Sequence, residues 1–179
     1  MSAGVLDRGR AVLVVIDVQE AFRKAVPAFA DVAARTAILV QGAEALGVPV
    51  LVTEQYPRGL GDTVPEVADH LGDTPRLPKT AFSAARAEGF NLGGRDQALV
   101  CGIEAHVCVA QTVLDLLADD IDVQVARDAT ASRTDGDRDT ALHRLEQAGA
   151  TLTSVEAALF ELLGEAGTPE FKTVQELIR

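Results

Sequence analysis

Three side chains sit where chemistry could start. Asp17 ends an apolar run, Lys79 lies between a proline and a threonine, and Cys108 follows a glycine-containing turn. Cys108 belongs to the stretch QALVCGIEAHVCVAQTVLDLLAD, in which a short apolar run over residues 98–101 is broken at Gly102. After Val107 the apolar period becomes helical, with Val109, Val113, Leu116 and Leu117 on one face. Strand, tight turn, helix is the local reading, and it places Cys108 in the first turn of the helix. Unpaired N–H groups and the positive end of the helix dipole there favour a thiolate and can hold an oxyanion.

Each residue also has an ordinary reading. A free cysteine is most often a small buried hydrophobe, and Cys101, within the strand, is read that way. Asp17 is either a cap or hydrogen-bond acceptor for the following loop, or a partly desolvated base. Lys79 is either a solvated surface charge or the cation of the same cleft. Bringing a thiol from a pKa near ~8.5 to below ~7 takes roughly 2 kcal/mol, and a helix N-terminus supplies about 0.3–1 kcal/mol, up to ~2 when partly buried. A nearby ammonium supplies the remainder, whereas an ionised Asp17 opposes it. If the three groups share one cleft, the reading that follows is a proton held between Asp17 and Cys108, with Lys79 balancing the charge.

The elements that must position these groups follow from apolar patterning. Residues 11–16 (AVLVVI) form a fully buried strand ending at Asp17. Residues 29–46 form a helix closed by Gly47, and residues 49–53 a second strand. Residues 54–63 (EQYPRGLGDT) form a Gly- and Pro-rich loop carrying the only tyrosine. One or two helical turns over 65–71 and a weak third strand over 77–80 follow. Beyond the central strand and helix, 121–126 is a fifth strand closed by Asp128, 138–147 a helix, and 150–153 a sixth strand. Thr153 to Glu156 has the form of a capping box opening a helix over 155–163, and Thr168-Pro169 precedes a last helix over 170–178. Alternating strands and helices predict a three-layer α/β/α, doubly wound fold with a six-stranded parallel sheet. With strand order 3-2-1-4-5-6, the switch point falls between the strand ending at Asp17 and the strand preceding Cys108, where such folds bind ligands.

The chain has 179 residues, 47% of them hydrophobic, with no internal repeat or linker, so one domain over 1–179 is expected. A net charge of −11 and the lack of a Lys/Arg cluster argue against nucleic acid or anionic membrane as partners. The same field repels an anionic substrate unless the pocket carries its own cation. No apolar stretch approaches the roughly 20 residues of a membrane span, MSAGVLDRGR has no signal-peptide apolar region, and two cysteines make no disulfide framework. A cytoplasmic protein with reduced thiols is expected. His70, His106 and His143 lie in separate elements and make no metal set, although His106 sits near the central turn. Gly93-Gly94 and Gly59-Leu60-Gly61 lack the context of a phosphate-binding fingerprint. No metal and no cofactor are expected.

Taken together, VVIDVQEAF, VTEQYPRGLGDTVPE, KTAFSA, CGIEAHVCVAQTVLDLL and the C-terminal SRTDGDRDTALHRLEQAGATLTSVEAALFELL resemble the isochorismatase-like cysteine hydrolase family nearly end to end. They resemble in particular its isochorismatase-domain branch. The resemblance implies a triad of Asp17, Lys79 and Cys108, in which Cys108 attacks an electrophilic carbon, Asp17 moves the proton and Lys79 steadies the pair. It implies a cis peptide at Ile103–Glu104 and an oxyanion hole from the backbone N–H groups of Glu104 and Cys108. It implies substrate contacts at Phe22, Glu54, Tyr56, Phe82, Ile103 and Glu104. Metal-dependent nicotinamidases of the family carry an aspartate and histidines after the second strand, where this chain has Thr53-Glu54-Gln55. True isochorismatases cleave a vinyl ether, so the family alone does not decide the bond broken. The leading expectation is a cofactor-free hydrolase of a small amide, carbamoyl or related substrate, working as a homo-oligomer, dimer or larger. The alternative is a non-catalytic flavodoxin-like module that binds a small ligand or self-associates.

Overall fold

In the computed structural model, which describes residues 4–179, six parallel strands form one sheet in the order β3-β2-β1-β4-β5-β6. The strands are β1 Ala11–Ile16, β2 Val50–Gln55, β3 Arg76–Lys79, β4 Gln97–Ile103, β5 Asp122–Ala131 and β6 Thr151–Thr153. The helices are α1 Phe29–Leu46, α2 Pro57–Leu60, α3 Pro65–Ala68, α4 Ala110–Ala118, α5 Asp135–Ala148, α6 Val155–Leu163 and α7 Pro169–Leu177. The expected three-layer, doubly wound architecture is therefore observed.

The continuous apolar runs of β1 and β4 are explained by burial on both faces. Leu13 and Val15 join a core with Val32, Leu39, Val40, Leu159 and Leu162, beneath α1 and α6. Val12, Val14 and Ile16 point the other way, into a core with Val109, Val113, Leu116 and Leu145, beneath α4 and α5. This alternation follows from the two-residue period of a strand. No helix among the described residues is long and apolar enough to cross a membrane.

Several boundaries differ from the patterning, each for a local reason. Gly102 does not end β4; the strand continues to Ile103 because Gly102 adopts φ +126° and lies against Ile16 of β1. A Cβ at Gly102 would overlap the Ile16 carbonyl oxygen. Asp128 does not close β5. Val100 pairs with Val125 but Gly102 pairs with Thr130, so β5 carries extra residues, bulges outward and returns to pair through Ala131. That return delivers Ser132 and Arg133 to the carboxyl end of β4. β2 extends to Gln55 and residues 57–60 form a helical turn, within what patterning reads as loop. The cap of α6 is Ser154 rather than Thr153: Ser154 Oγ accepts from the Ala157 N–H at 3.2 Å.

Gly102→Ala is expected to destabilise the fold by about 3 kcal/mol or more, roughly 6–12 °C in Tm for a chain of this size. Thermal unfolding followed by circular dichroism checks this; an unchanged Tm would refute the close approach of β1 and β4.

Candidate active site

β1 and β4 are neighbours that lead away in different directions, and their carboxyl ends open a crevice at the switch point. Asp17, the first residue after β1, adopts φ +53° in the left-handed region, uncommon outside glycine and tolerated best by Asp and Asn. Such backbone strain clusters at functional sites. Its side chain is fully buried. Oδ1 accepts from Thr53 Oγ1 at 2.7 Å, and Oδ2 accepts from Lys79 Nζ at 2.8 Å.

Lys79 ends the edge strand β3, yet its side chain is 0% exposed because it points inward beneath β2. Its ammonium also donates to Gln55 Oε1 at 2.6 Å, to the Phe82 carbonyl at 2.8 Å and to the Ala81 carbonyl at 3.3 Å. The desolvation of this ion pair is thus offset by hydrogen bonds to both members. Gln19, also fully buried, ties the neighbouring loops together. Its amide donates to the carbonyls of Gln55 and Gly61, and its Oε1 accepts from the Gln55 N–H.

Between Ile103 and α4 the chain makes a cis peptide at Ile103–Glu104 and then a π-helical turn over Ala105–Val109. Cys108 lies in this turn rather than in the first turn of a regular α-helix. π-Turns inside helices are frequent at functional sites. Asp17 and Lys79 both act on the Cys108 thiol at short range. The three residues singled out in the sequence therefore meet.

The helix terminus alone would favour a thiolate, but the surroundings of Cys108 decide otherwise. Cys108 is pushed up to about 12, first by burial and then by the negative charge of Asp17, with Lys79 opposing only in part. A helix-end contribution of at most ~2 kcal/mol does not overcome these. The resting site thus holds a neutral thiol beside a carboxylate and an ammonium. Cys101, fully buried and accepting a long hydrogen bond from Thr36 Oγ1 at 3.9 Å, is likewise pushed up to about 12 by burial.

A cavity of about 290 Å³ opens onto Cys108, lined also by Phe22, Gln55, Leu60, Phe82, Glu104 and Arg133. Phe22, Phe82 and Glu104 thus line the cavity. Three other residues are placed differently. Glu54 is taken up by Thr63, whose N–H and Oγ1 both donate to its Oε1 at 2.7 Å, so it clamps the loop. Tyr56 lines an adjoining cavity of about 490 Å³ with Arg58, Thr80, Arg86 and Glu88. Cys108 does not line that larger space, and the Lys79 side chain is sealed from solvent, so of the two cavities it is the smaller that reaches Cys108. Ile103 is fully buried core because β4 continues through it. Among the described residues no acceptor pairs with the Glu104 N–H.

Sequence reasoning missed Gln19, Thr53, Gln55 and Arg133. Thr53 and Gln55 carry a usable signal, being polar residues at the carboxyl end of an apolar strand. Arg133 carries none, because the bulge in β5 brings it to the site. His106 Nδ1 lies 2.9 Å from Ser132 Oγ and does not line the cavity. Among the described residues no three His, Cys, Asp or Glu side chains gather where a metal ion could be held.

The family model described as "Isochorismatase domain" matches residues 11–157. The secreted isochorismatase effector Isc1 of Phytophthora sojae is 45% identical over 176 residues, covering 94% of this chain and 84% of that protein. Human isochorismatase domain-containing protein 2 is 42% identical over 181 residues, covering 99% and 87%. The solved structure named MAR1 ribonuclease from Caenorhabditis elegans superposes with a TM-score of 0.92 at 39% identity, covering 98% of this chain and 92% of that one.

Two measurements follow from the site's electrostatics. Both thiols have folded pKa values raised above the ordinary thiol value, so the stability they contribute is fully present below about pH 8.5 and lost as pH rises towards about 12. Thiolate absorbance of the native chain should stay flat between about pH 7 and about pH 10 and show an ordinary step once the chain is unfolded in urea. A native step below about pH 9 would contradict this. Lys79→Met should cost ~3–5 kcal/mol in urea unfolding by leaving Asp17 buried without its cation, and Asp17→Asn added to it should restore part of that loss.

Proposed function

The chain belongs to the isochorismatase family, and from that premise we propose that it is a cofactor-free cysteine hydrolase of a small amide, carbamoyl or related substrate. The single observation that carries the proposal is a buried carboxylate–ammonium pair, 2.8 Å apart, set against a neutral thiol that opens onto a cavity. A neutral thiol needs a base at the moment of attack, and Asp17 is that base.

As Cys108 Sγ bonds to the substrate carbonyl carbon, its proton passes to Asp17. The carbonyl oxygen takes the negative charge and faces the N–H groups of Glu104 and Cys108. Collapse of the tetrahedral species breaks the C–N bond, and the amine leaves with the proton held by Asp17. Water then attacks the thioester, giving its proton to Asp17. As the acid departs, that proton returns to the sulfur. Lys79 stays protonated throughout and holds the carboxylate in place through Oδ2, while Thr53 fixes Oδ1. Each proton that Asp17 takes it gives back within the same half-reaction, so the buried pair ends the cycle with the charge it began with and exchanges no ion with water, which suits a site where such exchange is costly.

The C. elegans relative bears the name ribonuclease. Here a net charge of −11 and a cavity of about 290 Å³ favour a small molecule over a polyanionic strand.

A panel of small amides and carbamoyl compounds, with intact mass following the protein, tests the reading. Turnover should coincide with an acyl adduct on Cys108. Cys108→Ser should abolish both, and Asp17→Asn should lower turnover by about 10²–10⁴-fold. Turnover that survives in Cys108→Ser would overturn the proposal.

A further inference from the structure

Among the described residues lining the cavity over Cys108, two are charged, Glu104 and Arg133, and they face each other. Glu104 Oε2 accepts from the Arg133 backbone N–H at 2.9 Å and from its Nε at 3.0 Å. The pairing is lopsided: the Glu104 side chain is 8% exposed and that of Arg133 59%. Both bonds fall on Oε2. Oε1 and the two terminal nitrogens of the guanidinium make no hydrogen bond among the described residues. The lining thus offers one anionic acceptor and one set of cationic donors side by side, with no net charge.

Beneath them Asp17 and Lys79 cancel in the same way. Every charge next to the nucleophile is matched, and the remainder of the molecule is strongly negative. Arg133 is the cation that an anionic substrate would need, but Glu104 has already neutralised it.

We propose that the Glu104–Arg133 pair selects substrates by charge, admitting a neutral carboxamide or ureido group in the non-reacting part of the substrate and turning carboxylates away. The inference rests on the reading of Cys108 as the nucleophile of this cavity. A planar carboxamide gives an N–H to Glu104 Oε1 and its carbonyl oxygen to the terminal nitrogens of Arg133. A carboxylate has two acceptors and no donor. One of its oxygens meets Arg133, but the other meets Glu104 Oε1 with no proton between them, and like charges in a partly dry cleft repel. The residue that rejects is therefore Glu104, and the residue that attracts is Arg133.

Iodoacetamide and iodoacetate test this, because they deliver the same reacting carbon attached to a neutral or an anionic group. Their rates at Cys108, read by intact mass at about 1 M salt to screen the long-range field, give a ratio to compare with that of the unfolded chain. The native ratio should favour iodoacetamide by at least ~10-fold over the unfolded value. Glu104→Gln, which leaves Arg133 unneutralised, should lower the ratio by ~10-fold or more through faster iodoacetate reaction, and Arg133→Gln should raise it. A native ratio equal to the unfolded one overturns the proposal, as does a folded Glu104→Gln variant with an unchanged ratio. If Glu104→Gln fails to fold, Arg133→Gln decides, since its side chain is mostly exposed; no rise in ratio overturns the proposal. Turnover surviving in Cys108→Ser would instead overturn the nucleophile, and the alkylation ratio, measured on the native thiol without turnover, is blind to it.

Discussion

A carboxylate and an ammonium placed 2.8 Å apart, each with no exposed side-chain surface, constrain everything around them. Ions of this kind are costly to remove from water and are tolerated only when their remaining hydrogen-bonding capacity is filled. Thr53, Gln55 and the carbonyls of Ala81 and Phe82 fill it here. Those groups come from the carboxyl end of β2 and from the segment that follows β3. The pair therefore requires β1, β2 and β3 to lie side by side in register, with Asp17 turned by its left-handed backbone into the crevice.

Burial first, and the pair second, set the state of the sulfur. The first turn of a helix is a favourable place for a thiolate, yet burial and the Asp17 charge together outweigh the helix end and the Lys79 ammonium. A neutral thiol held against a carboxylate is stable at rest and available for attack once the proton has somewhere to go. A neutral thiol is also less open to adventitious oxidation than a thiolate in the same place.

Two features of the backbone deliver the remaining parts. Gly102 lets β4 pass the end of β1 closely enough for the π-turn to carry Cys108 over Asp17. The bulge in β5 returns its end to β4, so that Arg133 meets the carboxylate of Glu104. The first ion pair is sealed and the second lies at the rim of the cavity. Electrostatics inside a low-dielectric cleft act strongly over short distances; in the proposed reading the inner pair handles the proton and the outer pair faces the incoming molecule.

The order and type of the elements were legible in the chain because they depend on periodicity, which neighbouring residues share. The uninterrupted run 11–16, the helix 29–46 closed by Gly47 and the helix 155–163 coincide with the structure. Asp17, Lys79 and Cys108 could be singled out because each stands at the carboxyl end of a strand or just past it, and parallel strands put all such ends on one side of the sheet. The charge on the thiol, the loop-clamping work of Glu54, the burial of Ile103 and the meeting of Arg133 with Glu104 were decided by tertiary structure alone. Desolvation and Coulomb interaction depend on what is near in space, and in this fold the deciding neighbours are contributed by strands far apart along the chain.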